Sequence, residues 1–323
     1  MRSGMMDEPN ARSSHTIPTP RGGGLAIALI TLTAVAVNIR LSHGWLAEGA
    51  AWILGGGIVA AAGCVDDVRH LSAAVRASIH FAAALMLLAA AGGLASFSSP
   101  IGGFNLGWLG WLLGAILIVW LINSFNFMDG IDGLAAMQTV FVATAGALIV
   151  RSAYGVSAVQ LPLYALAGAA AGFLCWNFPP AKIFMGDVGS GFVGFSLAAA
   201  GIFSAKTGDT NLWTWIVLDA LFIADATTTL ISRLIRGERI YEAHRSHVYQ
   251  RLARRWNSHR KVALLYSAIN VVWCLPWAVA TVHWPPCAPI FASAVLLPLF
   301  AIGVAARAGN PDSQFAHGTT RDS

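Results

Sequence analysis

Charge is what this sequence has least of. Asp, Glu, Lys and Arg make up 11% of its 323 residues, against about 25% in an ordinary soluble domain. A chain so poor in charge cannot cover a globular surface with water-compatible groups. That excludes a water-soluble enzyme, a disordered protein and a coiled coil together. Cysteine is also sparse: Cys64, Cys175, Cys274 and Cys287 lie in or at the ends of apolar runs, without metal-type spacing. They read as small core residues, not as a disulfide or zinc framework. The first 22 residues lack the apolar core of a cleavable signal peptide.

What the chain has instead is apolar surface, 56% of residues by the AVILMFWYC count. It comes in runs long enough to cross a bilayer, which takes about 20 residues per helix. The expected fold is therefore all-α: a single polytopic membrane domain over 1–323 whose backbone closes its hydrogen bonds as helices. About ten transmembrane helices are visible, near 23–39, 49–65, 77–95, 107–125, 133–150, 161–178, 189–205, 212–231, 262–282 and 287–306. Gly- and Ala-rich stretches such as Ala82 to Gly93 and Ala165 to Gly172 suit close helix approach.

Lys and Arg set the orientation. With the N-terminal segment, 1–22, in the cytoplasm, 17 of the 20 fall inside, and only Arg40, Arg151 and Lys206 fall outside. The positive-inside rule favours this arrangement. The segment 233–261 becomes the main cytoplasmic loop, and 307–323 a disordered cytoplasmic tail. The polar residues then offer an independent check. Asp66, Asp67, Asn123, Asn126, Asp129, Asp132, Asn177, Asp187, His244 and His247 all fall at the cytoplasmic mouth. A transporter more often places such groups at the midplane, on broken helices. This distribution suits an enzyme whose active site is at the inner membrane face.

Four clusters carry the chemistry. Asp66-Asp67 ends an apolar run. Adjacent acids need compensation, from a divalent cation or from Arg69 and Arg76, and alone the pair is a weak signal. Asn123, Asn126, Asp129 and Asp132 recur every three residues after the run 107–122, a polar stripe with Gly130 and Gly133 breaking the backbone. Such a stripe beside a membrane must face a cavity or its own members, and interhelical packing explains the carboxylates poorly. Asn177-Phe-Pro-Pro-Ala-Lys-Ile-Phe184-Met-Gly-Asp187-Val-Gly-Ser190-Gly leads into the seventh run. Three glycines around one Asp fit a helix N-terminus beside an anion, or a metal beside phosphate; the plain alternative is an Asp N-cap. Last, His244-Arg245-Ser246-His247 opens a basic stretch. Arg forks suit phosphate oxygens, while most of Arg251 to Lys261 reads as membrane-surface charge. His259 reads as a surface residue. Asp225 lies eight residues before Arg233, about 12 Å deep by helical rise, and an intramembrane acid is a functional candidate. Asp219 and Glu48 sit nearer the outer half and read as packing residues.

Taken in this order, the clusters resemble the polyprenyl-phosphate N-acetylhexosamine-1-phosphate transferases, the family that includes the phospho-MurNAc-pentapeptide translocases. The pieces are Asp66-Asp67, Asn126-x-x-Asp129-Gly-x-Asp132-Gly, Phe184-Met-Gly-Asp187-x-Gly-Ser190 and the loop 244–251, over about 7–305. Met6 to Gly24 looks most like the O-antigen-initiating branch. Two departures stand out. Relatives usually carry a helix before that segment, eleven in all, whereas five residues precede it here, an arrangement that leaves Asn38 short of a partner. Of the family's usual histidine cluster, only His247 is kept in place.

The resemblance implies a bacterial inner-membrane enzyme that transfers a sugar 1-phosphate from a UDP-N-acetylhexosamine, or a deoxy derivative, to polyprenyl (undecaprenyl) phosphate. UMP leaves, and a lipid-linked envelope glycan such as O-antigen is begun. It implies Mg²⁺, or Mn²⁺, on Asp187, with Asp129 as a second candidate ligand. Asp66 or Asp67 prepares the lipid phosphate. Asn126, Asp129, Asp132 and Asn177 line the nucleotide-sugar site, Phe184 stacks on uracil, and Arg245 and His247 meet phosphate or sugar; Asp225 also matches a family position. Membrane lipid is a partner, nucleic acid is not, and a homodimer is compatible with the reading. An intramembrane prenyltransferase is the alternative enzyme, but its Asn-Asp-x-x-Asp-x-x-x-Asp pattern is missing. A lipid or nucleotide-sugar transporter is the alternative outside enzymes.

Overall fold

The computed structural model describes 18–94, 106–239 and 244–310 in full, with only the backbone of 6–7, 96–99 and 102–105. Most of the N-terminal segment, part of the 233–261 loop and nearly all of the 307–323 tail therefore lie outside the described residues. The helices are α1 (Gly24–Leu41), α2 (Leu46–Arg69), α3 (Ala73–Ala91), α4 (Trp108–Met128), α5 (Leu134–Tyr154), α6 (Gln160–Asn177), α7 (Asp187–Thr207), α8 (Leu212–Leu218), α9 (Ala220–Ile235), α10 (Val248–Trp256), α11 (His259–Ile269), α12 (Leu275–His283) and α13 (Ala288–Ala305). A π-helical turn, Asn270–Cys274, joins α11 to α12. Two short antiparallel ladders pair Met6–Asp7 with Thr19–Pro20 and Ser96–Ser99 with Gly102–Asn105.

All ten apolar runs are helical. Eight stretches are long and apolar enough to span a membrane, and a ninth arises if α8 and α9 count as one bent span. The tenth run, α6, is 18 residues long, but Gln160 and Asn177 at its ends lower its apolarity. It nonetheless packs lengthwise on α5 and α1.

The bundle is organised around α7, in which every residue from Val188 to Ser204 is buried. Its sequence explains why. Gly189, Ser190, Gly191, Gly194, Ser196, Ala198, Ala199, Ala200 and Gly201 present almost no side-chain bulk, so α1, α2 and α4 close onto its backbone. Glycines make the approach possible: a Cβ on Gly24 of α1 would stand 2.2 Å from the Gly189 Cα. A Cβ on Gly63 of α2 would stand 2.4 Å from the Asp187 carbonyl oxygen, and one on Gly194 would stand 2.6 Å from that of Leu121. Large apolar side chains such as Leu29, Leu54, Leu112, Val272 and Leu297 point outward, as a lipid-facing surface requires.

At the outer end suggested by the charge count, Glu48 pairs with Lys206 at 2.5 Å. Asn38, expected to lack a partner, is buried and donates to the Ala158 carbonyl at 2.7 Å; α5–α6 supplies what the expected extra helix was to provide. The chain bends by 75° between α8 and α9. Asp219 sits in the bend, buried beside Gln138, whose Nε2 donates to Leu218 O at 3.2 Å and whose Oε1 accepts from Asn270 at 2.5 Å. No Pro or Gly marks this kink. A polar cluster from α5 and the π-helical turn stabilises the opened backbone instead.

Candidate active site

The ends of α2, α4 and α6 meet the start of α7 at one end of the bundle. Neighbouring residues on a helix point about 100° apart, and this divides the Asp66-Asp67 pair. Asp66 turns toward α3. It is buried, accepts from Leu71 N at 2.5 Å, and pairs with Arg76 at 2.7 Å. Arg76 therefore supplies the compensation the sequence required. Asp67 turns toward α7 and accepts from the backbone N–H groups of Asp187 (3.0 Å) and Val188 (3.3 Å). It thus caps, from another helix, donors that α7 leaves unsatisfied. Gly186, the residue before α7, has φ +73° and ψ 171°, and a Cβ there would stand 2.7 Å from Asp67 Oδ2. Only glycine fits.

Asp187 is the first residue of α7, not its cap. Its carboxyl lies within hydrogen-bonding range of Asp66 and beside Asp67. Asp129, just past the end of α4, joins them. Burial, and then the charges of Asp187 and Asp67, push its carboxyl well above the ordinary carboxylate range, against the opposing pull of Arg21. Four carboxyls thus face the guanidinium groups of Arg21 and Arg76. The excess of negative charge suits a divalent cation. Among the described residues, however, no three His, Cys, Asp or Glu side chains converge to form a ready cage. That donor set fits Mg²⁺, which takes one or two carboxylates and completes its shell with water and substrate phosphate.

The asparagines hold the frame. Asn126 Oδ1 accepts from Ser190 Oγ at 2.6 Å, tying α4 to α7. Asn177 is buried: its Oδ1 accepts from Gly133 N and its Nδ2 donates to Ile183 O, both at 2.9 Å. Expected in the substrate lining, Asn177 is engaged on both sides in joining the α4–α5 and α6–α7 loops. Phe184 exchanges backbone hydrogen bonds with Pro20 and Gly23, at 2.9 and 3.0 Å. This places the Pro20–Gly24 stretch, with Arg21, against the α6–α7 loop.

Asp132 faces a cleft of about 510 Å³ lined also by Arg245, Gln250, Arg254, His259 and Arg260. It accepts from Ala181 N at 3.1 Å and lies 3.3 Å from His259 Nδ1. His259, read from the sequence as a surface residue, belongs to this cleft. Its partner lies 127 positions away, so local sequence gave no signal. The cleft combines three guanidinium groups with imidazole and one carboxylate, a lining suited to phosphate and sugar hydroxyls.

Asp225 does not reach the cleft. It is buried, and its carboxylate accepts from His247 Nδ1 (3.2 Å), Val248 N (2.9 Å), Tyr249 N (3.0 Å) and Tyr266 Oη (2.8 Å). Expected as a substrate contact, it caps α10 as Asp67 caps α7. His247 is buried and stacked between Phe127 and His244, with ring centroids 6.0 and 4.9 Å away. Tyr249 reaches across to donate to Phe127 O at 2.8 Å, fixing the basic loop to the end of α4. Arg76 is legible from the sequence as a partner of the acid pair, whereas nothing local marks Arg21, Tyr249 or His259 as site residues.

Fold and site together define a helical membrane protein with an acidic centre and a basic cleft at one end. The model of glycosyl transferase family 4 matches residues 50–205. A probable undecaprenyl-phosphate N-acetylglucosaminyl 1-phosphate transferase of Bacillus subtilis (strain 168) is 33% identical over 282 residues, covering 85% of this chain and 77% of that one. A decaprenyl-phosphate N-acetylglucosaminephosphotransferase of Mycobacterium leprae is 31% identical over 294 residues, covering 82% and 74%. A phospho-N-acetylmuramoyl-pentapeptide-transferase of Moorella thermoacetica is 34% identical over 188 residues, 54% of each chain. The chain belongs to glycosyl transferase family 4.

Proposed function

We propose that this protein transfers an N-acetylhexosamine 1-phosphate from a UDP-sugar to a polyprenyl phosphate at the cytoplasmic face of a bacterial inner membrane. An oxygen of the lipid phosphate forms a bond to the β-phosphorus. The bond from that phosphorus to the bridging oxygen breaks, and UMP carries the electron pair away. One diphosphate is made for each one broken. The names of the relatives, two of them N-acetylglucosamine 1-phosphate transferases of a polyprenyl phosphate and one a transferase of phospho-N-acetylmuramoyl-pentapeptide, support this class of reaction. The observation that carries it is the meeting of Asp66, Asp67, Asp129 and Asp187 beside the Arg- and His-lined cleft.

Transfer between two anions asks a protein for positioning and charge neutralisation. Asp187 and Asp129 would hold Mg²⁺, which when bound supplies that neutralisation at the phosphate oxygens. Arg245, Arg254 and His259 receive the nucleotide diphosphate and sugar in the cleft, with Asp132 accepting from hydroxyls. Asp66, held by Arg76, stands next to Asp187, where it can orient the incoming lipid phosphate. Asp67, Asn126, Asn177 and Asp225 keep the helix ends in register. O-antigen initiation is the finer assignment and rests on the segment 6–24 alone.

The test is UMP release by the purified protein from UDP-N-acetylglucosamine with undecaprenyl phosphate and Mg²⁺. Release that requires all three components is expected. No release with any UDP-N-acetylhexosamine, from protein that is folded and monodisperse, would overturn the proposal.

A further inference from the structure

His80 belongs to no motif read from the sequence. It lies on α3 one turn beyond Arg76, so the two share a helix face. The side chain is buried, 6% exposed, and its Nδ1 has no hydrogen-bond partner among the described residues. An imidazole nitrogen left unbonded in a helix bundle is costly, and each such case calls for an explanation. The surroundings offer one. Beside the carboxyls is a small cavity lined among others by Gly63, Asp66, Arg76, His80, Asn126 and Asp187, so α2, α3, α4 and α7 all contribute. Its volume is about 10 Å³, the room one water molecule takes, and the lining supplies the two to four polar partners such a water needs.

Asp187 has few other supports. Its backbone N–H is held by Asp67, but the neighbour of its carboxyl is another acid, Asp66. Asp66 is in turn committed to Arg76 and Leu71. A carboxylate that must hold a cation and release product needs a fixed orientation, and groups behind a ligand commonly provide it.

We propose that one buried water joins His80 Nδ1 to the Asp187 carboxylate through this chamber, making His80 a positioning residue for Asp187. The inference rests on the reading of Asp187 as the metal ligand. His80 touches no substrate. It acts from behind, fixing which carboxylate oxygen faces the open side.

Mn²⁺ binding to the detergent-purified protein, followed by electron paramagnetic resonance without substrate, tests it in four proteins. His80→Leu removes the bond and keeps apolar bulk; its Kd for Mn²⁺ should rise about tenfold. His80→Asn places an amide nitrogen close to the Nδ1 position; its Kd should stay within about threefold of wild type. Asp187→Asn should abolish the tight site. Wild-type affinity in His80→Leu, with Asp187→Asn still defective, overturns the role of His80 and leaves the ligand reading intact. Equal weakening in His80→Leu and His80→Asn makes His80 a packing residue and also overturns the proposal. Unchanged affinity in Asp187→Asn overturns the underlying reading instead. If His80→Leu does not survive extraction, a high-resolution structure of the wild type decides. Density for a water bonded to Nδ1 supports the proposal, and a dry chamber refutes it.

Discussion

The carboxylate of Asp67, near the end of α2, accepts the backbone N–H of Asp187, the first residue of α7, at 3.0 Å. Two residues that both read from sequence as candidates for chemistry therefore differ in kind. Asp67 binds the α7 backbone, and Asp187 is left to present its side chain. Asp67→Ala should lower stability in detergent by about 1–2 kcal/mol, the scale of a lost helix cap strengthened by charge. Asp187→Asn removes one charge from a crowded acidic group and should melt no lower than wild type, while UMP release falls at least about 100-fold. Melting by intrinsic fluorescence and a UMP assay on both variants give the comparison. A melting loss confined to Asp187→Asn would reverse the two roles.

Asp225 makes a second prediction of the same type. Its carboxylate is the common acceptor for His247, Val248, Tyr249 and Tyr266. Asp225→Ala leaves those donors buried, a loss of about 3–5 kcal/mol by analogy with breaking a buried ion pair. Asp225→Asn keeps part of the set and should lose less. The bonds after Arg245 and Arg251 should become open to trypsin in the first variant before the bundle melts. Equal resistance in wild type and Asp225→Ala would show that α10 is anchored elsewhere.

These assignments mark the limit of what local sequence shows. The ten apolar runs were legible because a membrane helix must be long and apolar throughout. The acidic clusters stood out because carboxylates beside a membrane are costly unless used. The direction each acid faces was not legible. Asp66 and Asp67 differ by one residue, and only the packing of both α3 and α7 on α2 separates an Arg76 partner from an α7 cap. His259 and Asp132 are joined across 127 positions, so nothing near His259 announced its role. The bend at Asp219 has no proline or glycine to signal it and depends on Gln138 and Asn270, which come from other helices.

His244 predicts a dependence on pH. Burial, then the neighbouring charges of His247 and Arg233, push its imidazole down to about 3, from an ordinary value of about 6.5. The unfolded chain therefore takes up a proton as pH falls through about 6.5, whereas the folded protein resists until about 3. Between those values the unfolded state holds more protons, so stability must fall as pH drops. His244→Gln removes this contribution. Its melting temperature should change less between pH 7.5 and pH 5 than that of wild type, about two assay conditions chosen to lie on either side of the unfolded value. Parallel curves for the two proteins would show that His244 is not held neutral.

Sidedness is the last prediction, and the proposed reaction depends on it. The acidic centre, the basic cleft and the loop after α9 share one end of the bundle, and the Lys and Arg count predicts that this end faces inside, with only Arg40, Arg151 and Lys206 on the other side. UDP-sugars are made in the cytoplasm, so the reaction requires this orientation. In a background with the four native cysteines replaced, a cysteine at Asn257, exposed beside the cleft, should react with a membrane-impermeant maleimide only after spheroplasts are permeabilised. A cysteine at Ser98, in the Ser96–Ser99 strand between α3 and α4, should react in intact spheroplasts. Moving three or four arginines to the α3–α4 connection should weaken this pattern, because charge near the ends of the spans sets topology. The reverse pattern in the unaltered chain would put the cleft outside, away from cytoplasmic donors, and the proposed transfer could not take place there.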